Sequence, residues 1–276
     1  MKNILITGVT GYIGSNLIKA LKGKYNIFGV VRKTSDVSEV KDYCHLVFVE
    51  DLEDCFRQNK IDLVLHLATN YNRKFGNDYI AVEQDNVIFP LKILSLCKKY
   101  GITRFFNLDT CIHPHSNLYS FTKKIFKEWL KYLCIPATNI ILQHFYGHGN
   151  TNGDFISFVI QEIKSKKEKI NLTHGTQKRD FIYISDVVDA IMLLMEQRYV
   201  EQYIDVQLGS GTDISIKNIV QMIKDISNSD IRLHFGVIDT KFYDMSDYVA
   251  DISYLKSLGW HPKVNLKDGL IKCINN

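Results

Sequence analysis

One stretch near the start of this chain constrains its fold more than any other. Asn3–Ile6 is a short apolar, β-branched run, and Thr7-Gly8-Val9-Thr10-Gly11-Tyr12-Ile13-Gly14 follows it at once. Apolar residues then recur at Ile13, Leu17 and Leu21, so Gly11–Leu21 is predicted as a helix. A buried strand, a glycine-rich turn and a helix in direct succession form an anion-binding unit. Gly8 permits the tight turn, Gly11 lets the backbone approach a pyrophosphate, and Gly14 lets the helix pack close to the sheet. The helix N-terminus then offers free N–H groups and a partial positive charge.

The next hundred residues repeat the alternation. Asn26–Val31, His45–Val49, Ile61–His66 and Arg104–Leu108 read as strands, Asn86–Lys99 and about Tyr119–Leu133 as helices, and Thr138–Gln143 as a further strand. Strands alternating with helices at this spacing imply βαβ units. The expected class is α/β: a Rossmann-type doubly wound parallel sheet with a smaller C-terminal α/β lobe. Residues 1–147 are assigned to the dinucleotide-binding domain, with 180–205 returning to it; 148–179 and 206–276 form the smaller, substrate-binding lobe.

Composition narrows the function. A net charge of +4 on 276 residues, evenly spread, gives no electrostatic case for nucleic acid. Six cysteines fall at 44, 55, 97, 111, 134 and 273, without CxxC pairs or zinc spacing, and read as reduced thiols. The first apolar run is too short to span a membrane and has no cleavage region. The expectation is a cytoplasmic, metal-free protein.

The second strand ends Val30-Val31-Arg32-Lys33, without the carboxylate that bonds a ribose 2′-hydroxyl. A guanidinium there suits a 2′-phosphate, so NADP(H) is the expected cofactor; the plainer alternative for Arg32 is a surface cation. Tyr119 and Lys123 stand four apart on a predicted helix, on one face. An ammonium beside a phenol favours the phenolate and lowers its pKa. Thr110, ending the fifth strand, is positioned to donate to a substrate carbonyl. His66 reads as a structural histidine.

Together, the 7–14 loop, His66-Leu67-Ala68-Thr69, the Asn86 helix, the Tyr119/Lys123 pair and Arg179-Asp180-Phe181-Ile182-Tyr183-Ile184-Ser185-Asp186 resemble the extended short-chain dehydrogenase/reductases. Leu258-Gly259-Trp260-His261-Pro262 is similar to an ending common in their nucleotide-sugar branch, the NAD-dependent epimerase/dehydratase family. Segments 66–71, 85–92, 107–110 and 142–147 resemble, more narrowly, the CDP-abequose and CDP-paratose synthases, which use NADPH to reduce the 4-keto group of a CDP-3,6-dideoxyhexose.

The resemblance implies roles. Gly8, Gly11, Tyr12, Ile13 and Gly14 would hold the pyrophosphate, and Arg32 and Lys33 the 2′-phosphate. Asp51 and Leu52 would flank the adenine; Leu67, Ala68 and Thr69 would line the nicotinamide ribose region. Tyr119 would protonate the developing alkoxide, Lys123 would bond the ribose and tune Tyr119, and Thr110 would hold the carbonyl. Arg179 would pair with the substrate pyrophosphate, the alternative being an ion pair with Asp180 or Asp186. Two departures stand out. Thr110 and Tyr119 lie only nine residues apart, which shortens a lid or lets Ser116 or Ser120 share Thr110's work. His144 replaces a common asparagine, and His148 a proline; His144 would touch the sugar or a phosphate.

The expected function is NADPH-dependent reduction of a 4-keto-6-deoxy or 3,6-dideoxy nucleotide sugar, CDP-linked by preference, for bacterial surface polysaccharide. The rivals are a nucleotide-sugar epimerase that recycles NAD, a 4,6-dehydratase and a redox-sensing regulator. The dehydratase is disfavoured because Cys111-Ile112 stand where its chemistry needs a carboxyl pair. A homodimer is expected, with Phe126, Trp129, Leu130 and Leu133 as a candidate face that would serve equally as core.

Overall fold

Ile4, Leu5 and Ile6 have no solvent exposure, as a parallel strand covered on both sides requires. They lie in β1 (Asn3–Thr7), which is followed by α1 (Tyr12–Leu21), β2 (Asn26–Val31), β3 (His45–Phe48), a 3₁₀ turn at Val49–Asp51 and α2 (Leu52–Gln58). Next come β4 (Leu63–His66), α3 (Tyr79–Glu83), a π-helical turn (Gln84–Ile88), α4 (Phe89–Lys99), β5 (Phe105–Thr110), α5 (Leu118–Tyr132) and β6 (Ala137–Leu142). The computed structural model describes residues 1–71, 78–150, 154–197, 202–239 and 247–275.

The remaining elements are β7 (His144–Tyr146), α6 (Phe155–Lys164), β8 (Lys169–Asn171), β9 (Lys178–Arg179), β10 (Phe181–Tyr183), α7 (Ile184–Glu196) and β11 (Ile204–Leu208). After these come β12 (Ile214–Ser215), α8 (Ile216–Ile226), β13 (Arg232–His234), α9 (Ser253–Ser257) and α10 (Leu266–Asn275).

Two compact units result: Met1–Ile141 with Ile191–Val206, and Leu142–Ala190 with Gln207–Asn276. The expectation drew the first boundary at 147 and the return at 180–205. The chain passes between the units inside β6, α7 and β11, where no loop or composition change marks the crossing.

The first unit is built on a sheet ordered β11-β6-β5-β4-β1-β2-β3. β3, β2, β1, β4 and β5 pair in parallel, with Thr7 opposite both Val30 and His66. The order reverses direction at β1, next to β4, so their carboxyl ends form the switch point where such sheets bind ligands. Leu5, Phe28, Val64, Ile93, Phe105, Phe126 and Leu130 belong to one core cluster. Phe126 and Leu130 are therefore core, whereas Trp129 stays 41% exposed, so the four-residue face does not act as one surface.

The helix expected from Asn86 starts earlier. Asp78 caps α3 by accepting from the Ala81 N–H at 2.9 Å. Pro90 has no N–H to give the carbonyl four residues back, and the preceding turn widens so that the Phe89 N–H reaches Gln84. That wide turn carries Asn86.

In the second unit β10 pairs with β7 and β13 with β8 in parallel, and β12 pairs antiparallel with β9. Tyr146, Ile160, Phe181, Ile219, Val220 and Leu270 share its core. Asp154 caps α6 and Ser215 caps α8. None of the six cysteines forms a disulfide. Among the described residues, no group of His, Cys, Asp or Glu could hold a metal, and no helix is long and apolar enough to cross a membrane.

Candidate active site

The glycine loop is built as the spacing requires. Gly8 has φ +73°, and a Cβ there would lie 2.6 Å from the Ala68 nitrogen. A Cβ on Gly14 would overlap the Gly8 carbonyl oxygen, so α1 sits directly on the turn. Gly11 would meet only that same oxygen, at 3.2 Å. It caps α1 without any side-chain hydrogen bond, and no acid occupies the helix's first turn. A diphosphate fits this cradle: the space at Gly8 and Gly14 suits only glycine, and no carboxylate in the first turn of α1 repels an anion.

Thr7 ties the loop to β4. Its Oγ1 accepts from the N–H groups of Leu67 (3.2 Å) and Ala68 (3.1 Å) and lies 2.9 Å from His66 Nδ1. With two bonds accepted, the hydroxyl donates to Nδ1, so the His66 proton is on Nε2. Burial, and secondarily Lys123, holds His66 well below its ordinary pKa, in neutral form. Thr69 Oγ1 donates to Asn86 Oδ1 at 3.2 Å.

Arg32 and Lys33 reach the surface past the end of β2. Arg32 is 3.2 Å from the Asp85 carboxylate, which also accepts from Asn70 at 2.9 Å; Lys33 is 3.9 Å from Glu50. Asp51 is exposed at the end of the 3₁₀ turn. Leu52 is spent in the core, so this position offers backbone rather than side chain to a neighbouring ring.

The reactive side chains come from β5 and α5. Asn117 caps α5 through the Ser120 N–H at 2.8 Å, and Ser120 Oγ donates to the His113 carbonyl at 2.8 Å. Ser120 is thus committed to the short β5–α5 loop, while the Thr110 hydroxyl lies beside Tyr119 and favours its ionised form. The Tyr71 ring lies over that of Tyr119, centroids 4.6 Å apart.

The electrostatics correct one expectation. The Tyr119 phenol is raised well above its ordinary pKa, first by burial and then by Tyr71, against the Thr110 hydrogen bond; Asp109 and Cys111 raise it further. The lysine does not make it a phenolate, because desolvation dominates. Lys123 itself is only 2% exposed, and burial pulls its ammonium down to about 8, with Lys124 adding to the fall and Asp109 opposing it.

Two further polar clusters support these groups. Asn86 Nδ2 donates to Thr122 Oγ1 on α5 (2.9 Å) and to the Asn70 carbonyl (3.0 Å), while its Oδ1 accepts from the Asn70 N–H (2.7 Å). Asp109, at the end of β5, is ion-paired to Lys124 at 3.0 Å. The sequence carried one signal for the second cluster: Asn107 and Asp109 interrupt a strand otherwise read as fully buried, and buried polar groups need partners.

His144 and Arg179 belong to the second unit. Burial, and then the Arg179 charge, pulls the His144 imidazole down to about 4, so it is neutral. Arg179 is buried, donates to the Lys178 carbonyl at 2.7 Å and stands 5.4 Å over the Tyr248 ring. The acids beside it serve the backbone elsewhere: Asp180 accepts from Ser210, Gly211 and Ala250, and Asp186 from the Val264 N–H.

Known proteins place this site in context. A CDP-abequose synthase of Salmonella typhimurium is 32% identical over 97% of this chain and 95% of its own length. Another from Yersinia pseudotuberculosis is 29% identical over 84% of this chain and 87% of its own. The UDP-glucose 4-epimerase of Thermotoga maritima, solved with UDP-glucose, superposes with a TM-score of 0.86 at 22% identity, covering 99% of this chain and 97% of that one. The model of the NAD dependent epimerase/dehydratase family matches residues 4–209. The chain belongs to the NAD-dependent epimerase/dehydratase family, in the nucleotide-sugar branch of the extended short-chain dehydrogenase/reductases.

Proposed function

We propose that this protein is an NADPH-dependent reductase of the 4-keto group of a 6-deoxy or 3,6-dideoxy sugar carried on a nucleoside diphosphate, with CDP favoured. The observation that carries the reading is the pairing of Tyr119 with the buried Lys123 one turn along α5 in a chain 32% identical to a CDP-abequose synthase over 97% of its length. A ketone reductase needs a proton donor at rest, and burial keeps this phenol protonated beside Thr110. An enzyme that begins by oxidising an alcohol needs the phenolate instead.

Bound NADPH would supply the hydride, held by the Gly8–Gly14 loop at its diphosphate and by Arg32 and Lys33 at its 2′-phosphate. Thr110 Oγ1 would orient the ketone oxygen, and Tyr119 Oη would release its proton to the alkoxide as charge develops there. A polarising donor fixed before the reaction costs no reorganisation during it. Lys123 would bond the nicotinamide ribose and stabilise the negative charge that Tyr119 acquires. Arg179 would take the substrate diphosphate, with neutral His144 beside it. The CDP-abequose synthase relatives support the CDP-sugar assignment.

A nucleotide-sugar epimerase with resident NAD is the second reading. It is favoured by one observation: Asp85 engages Arg32 and sets a carboxylate near the proposed 2′-phosphate position. The test supplies the purified protein with NADPH or NADH and a panel of CDP-, UDP- and dTDP-linked 4-keto sugars, followed by nicotinamide absorbance. Oxidation of NADPH by a CDP-4-keto sugar is expected. Protein purified with stoichiometric NAD that interconverts sugars without net oxidation would favour the epimerase.

A further inference from the structure

Asp109 has no exposed side-chain surface. A carboxylate buried this fully costs several kcal/mol unless it is paired and hydrogen-bonded throughout. Its Oδ1 accepts from the Thr110 N–H (2.7 Å) and Lys124 Nζ (3.1 Å), and its Oδ2 from Lys124 Nζ (3.0 Å) and Asn139 Nδ2 (3.1 Å). Lys124 Nζ donates in addition to the Thr110 carbonyl at 2.6 Å. Both backbone polar groups of Thr110 are therefore held, one by the carboxylate and the other by its counterion. Asn139 is fixed in turn: its Oδ1 accepts from Asn107 Nδ2 at 2.7 Å, and its Nδ2 also reaches Asp205 at 2.7 Å. Lys127 pairs with Asp205 at 2.8 Å and the Tyr203 hydroxyl donates to it at 2.6 Å.

What this frame leaves for chemistry is the Thr110 hydroxyl, which accepts from the Ile112 N–H at 3.2 Å and meets Tyr119. Asp109 also acts on Lys123 through its charge. The charged and titratable groups coupled to that ammonium are Asp109 from β5, Lys124 from its own helix and His66 from β4. Of those that act on it, Asp109 alone favours its charged form, while burial and Lys124 disfavour it.

We propose that Asp109, clamped by Lys124, is the positioning residue of this centre: it holds the Thr110 backbone, and with it the hydroxyl beside Tyr119, and supplies the negative charge that acts on Lys123. The inference rests on the reading of Tyr119 as proton donor and Lys123 as its charged neighbour. It explains why consecutive lysines follow Tyr119 in α5, one serving the reaction and the other the carboxylate behind it.

The test is an NMR pH titration of the Lys123 side-chain nitrogen in the cofactor-free protein, assigned by its loss in Lys123→Met. Asp109→Asn keeps the shape and an acceptor for the Thr110 N–H but removes the charge. The Lys123 midpoint should then fall by about one pH unit. Lys124→Gln removes a like charge and should move the midpoint upward; that variant decides the matter if Asp109→Asn does not fold. In the reductase assay the alkaline limb of kcat should follow the midpoint in each variant, with kcat for Asp109→Asn down by about 10²-fold and KM for NADPH little changed. A midpoint that stays put, or that moves the same way in both variants, overturns the inference. Wild-type protein without reductase activity would refute the proposed function, while the titration would still decide the role of Asp109.

Discussion

Lys123→Met should make this protein more stable while abolishing its activity. The magnitude follows from the ammonium's pKa, which burial lowers from 10.5 to about 8. Each pH unit corresponds to roughly 1.4 kcal/mol, so holding the charged lysine in the fold costs about 3 kcal/mol at neutral pH. Because the folded value is the lower one, the unfolded chain binds more protons between pH 8 and 10.5, and stability rises with pH across that window. The cost is fully present below pH 8 and gone above 10.5. Methionine keeps the apolar stem and removes the charge. The variant should therefore gain up to about 3 kcal/mol at pH 7, and the gain should shrink as the pH approaches 10. Urea unfolding of both proteins at several pH values measures the difference, in which all other titrations cancel. A variant less stable than wild type at pH 7, or a gain that does not vary with pH, would refute the reasoning.

Three more outcomes are expected. Tyr119→Phe should reduce kcat by ~10²–10⁴-fold and leave the NADPH dissociation constant within about twofold, as fluorescence titration would show. Gly14→Ala drives a Cβ into the Gly8 carbonyl oxygen, so calorimetry should find it destabilised by a few kcal/mol, with NADPH binding lost. Arg32→Asp should reverse the preference for NADPH over NADH, whereas Asp85→Asn, by releasing Arg32, should tighten NADPH binding; unchanged ratios of the two dissociation constants would contradict both.

The parts legible in the sequence were those in which neighbouring residues carry the physics. The strand–glycine–helix unit is local, because Gly8, Gly11 and Gly14 act on their own turn, and Tyr119 and Lys123 share a face by helical spacing alone. The parts that were not legible depend on residues distant in the chain. Nothing near Asp109 reveals Lys124, fifteen residues on, or Asn139, thirty residues on. The helix expected over Asn86–Lys99 begins earlier, and Asn86 lies in mid-run, where Pro90's missing N–H opens a wide turn and presents the amide to Thr122. The pKa of Tyr119 was misjudged for a related reason. Spacing discloses the nearby ammonium but not the depth of burial, and burial sets the sign.

The most direct test of the central claim is isotope transfer. NADPH carrying deuterium at the transferable position is incubated with the protein and a CDP-4-keto-3,6-dideoxyhexose, and the product is read by NMR. The account predicts a new alcohol whose carbinol carbon bears the deuterium, with its formation slowed by ~10²–10⁴-fold when Tyr119→Phe replaces the wild type. A sugar product that carries no label, formed without consumption of NADPH, would contradict it.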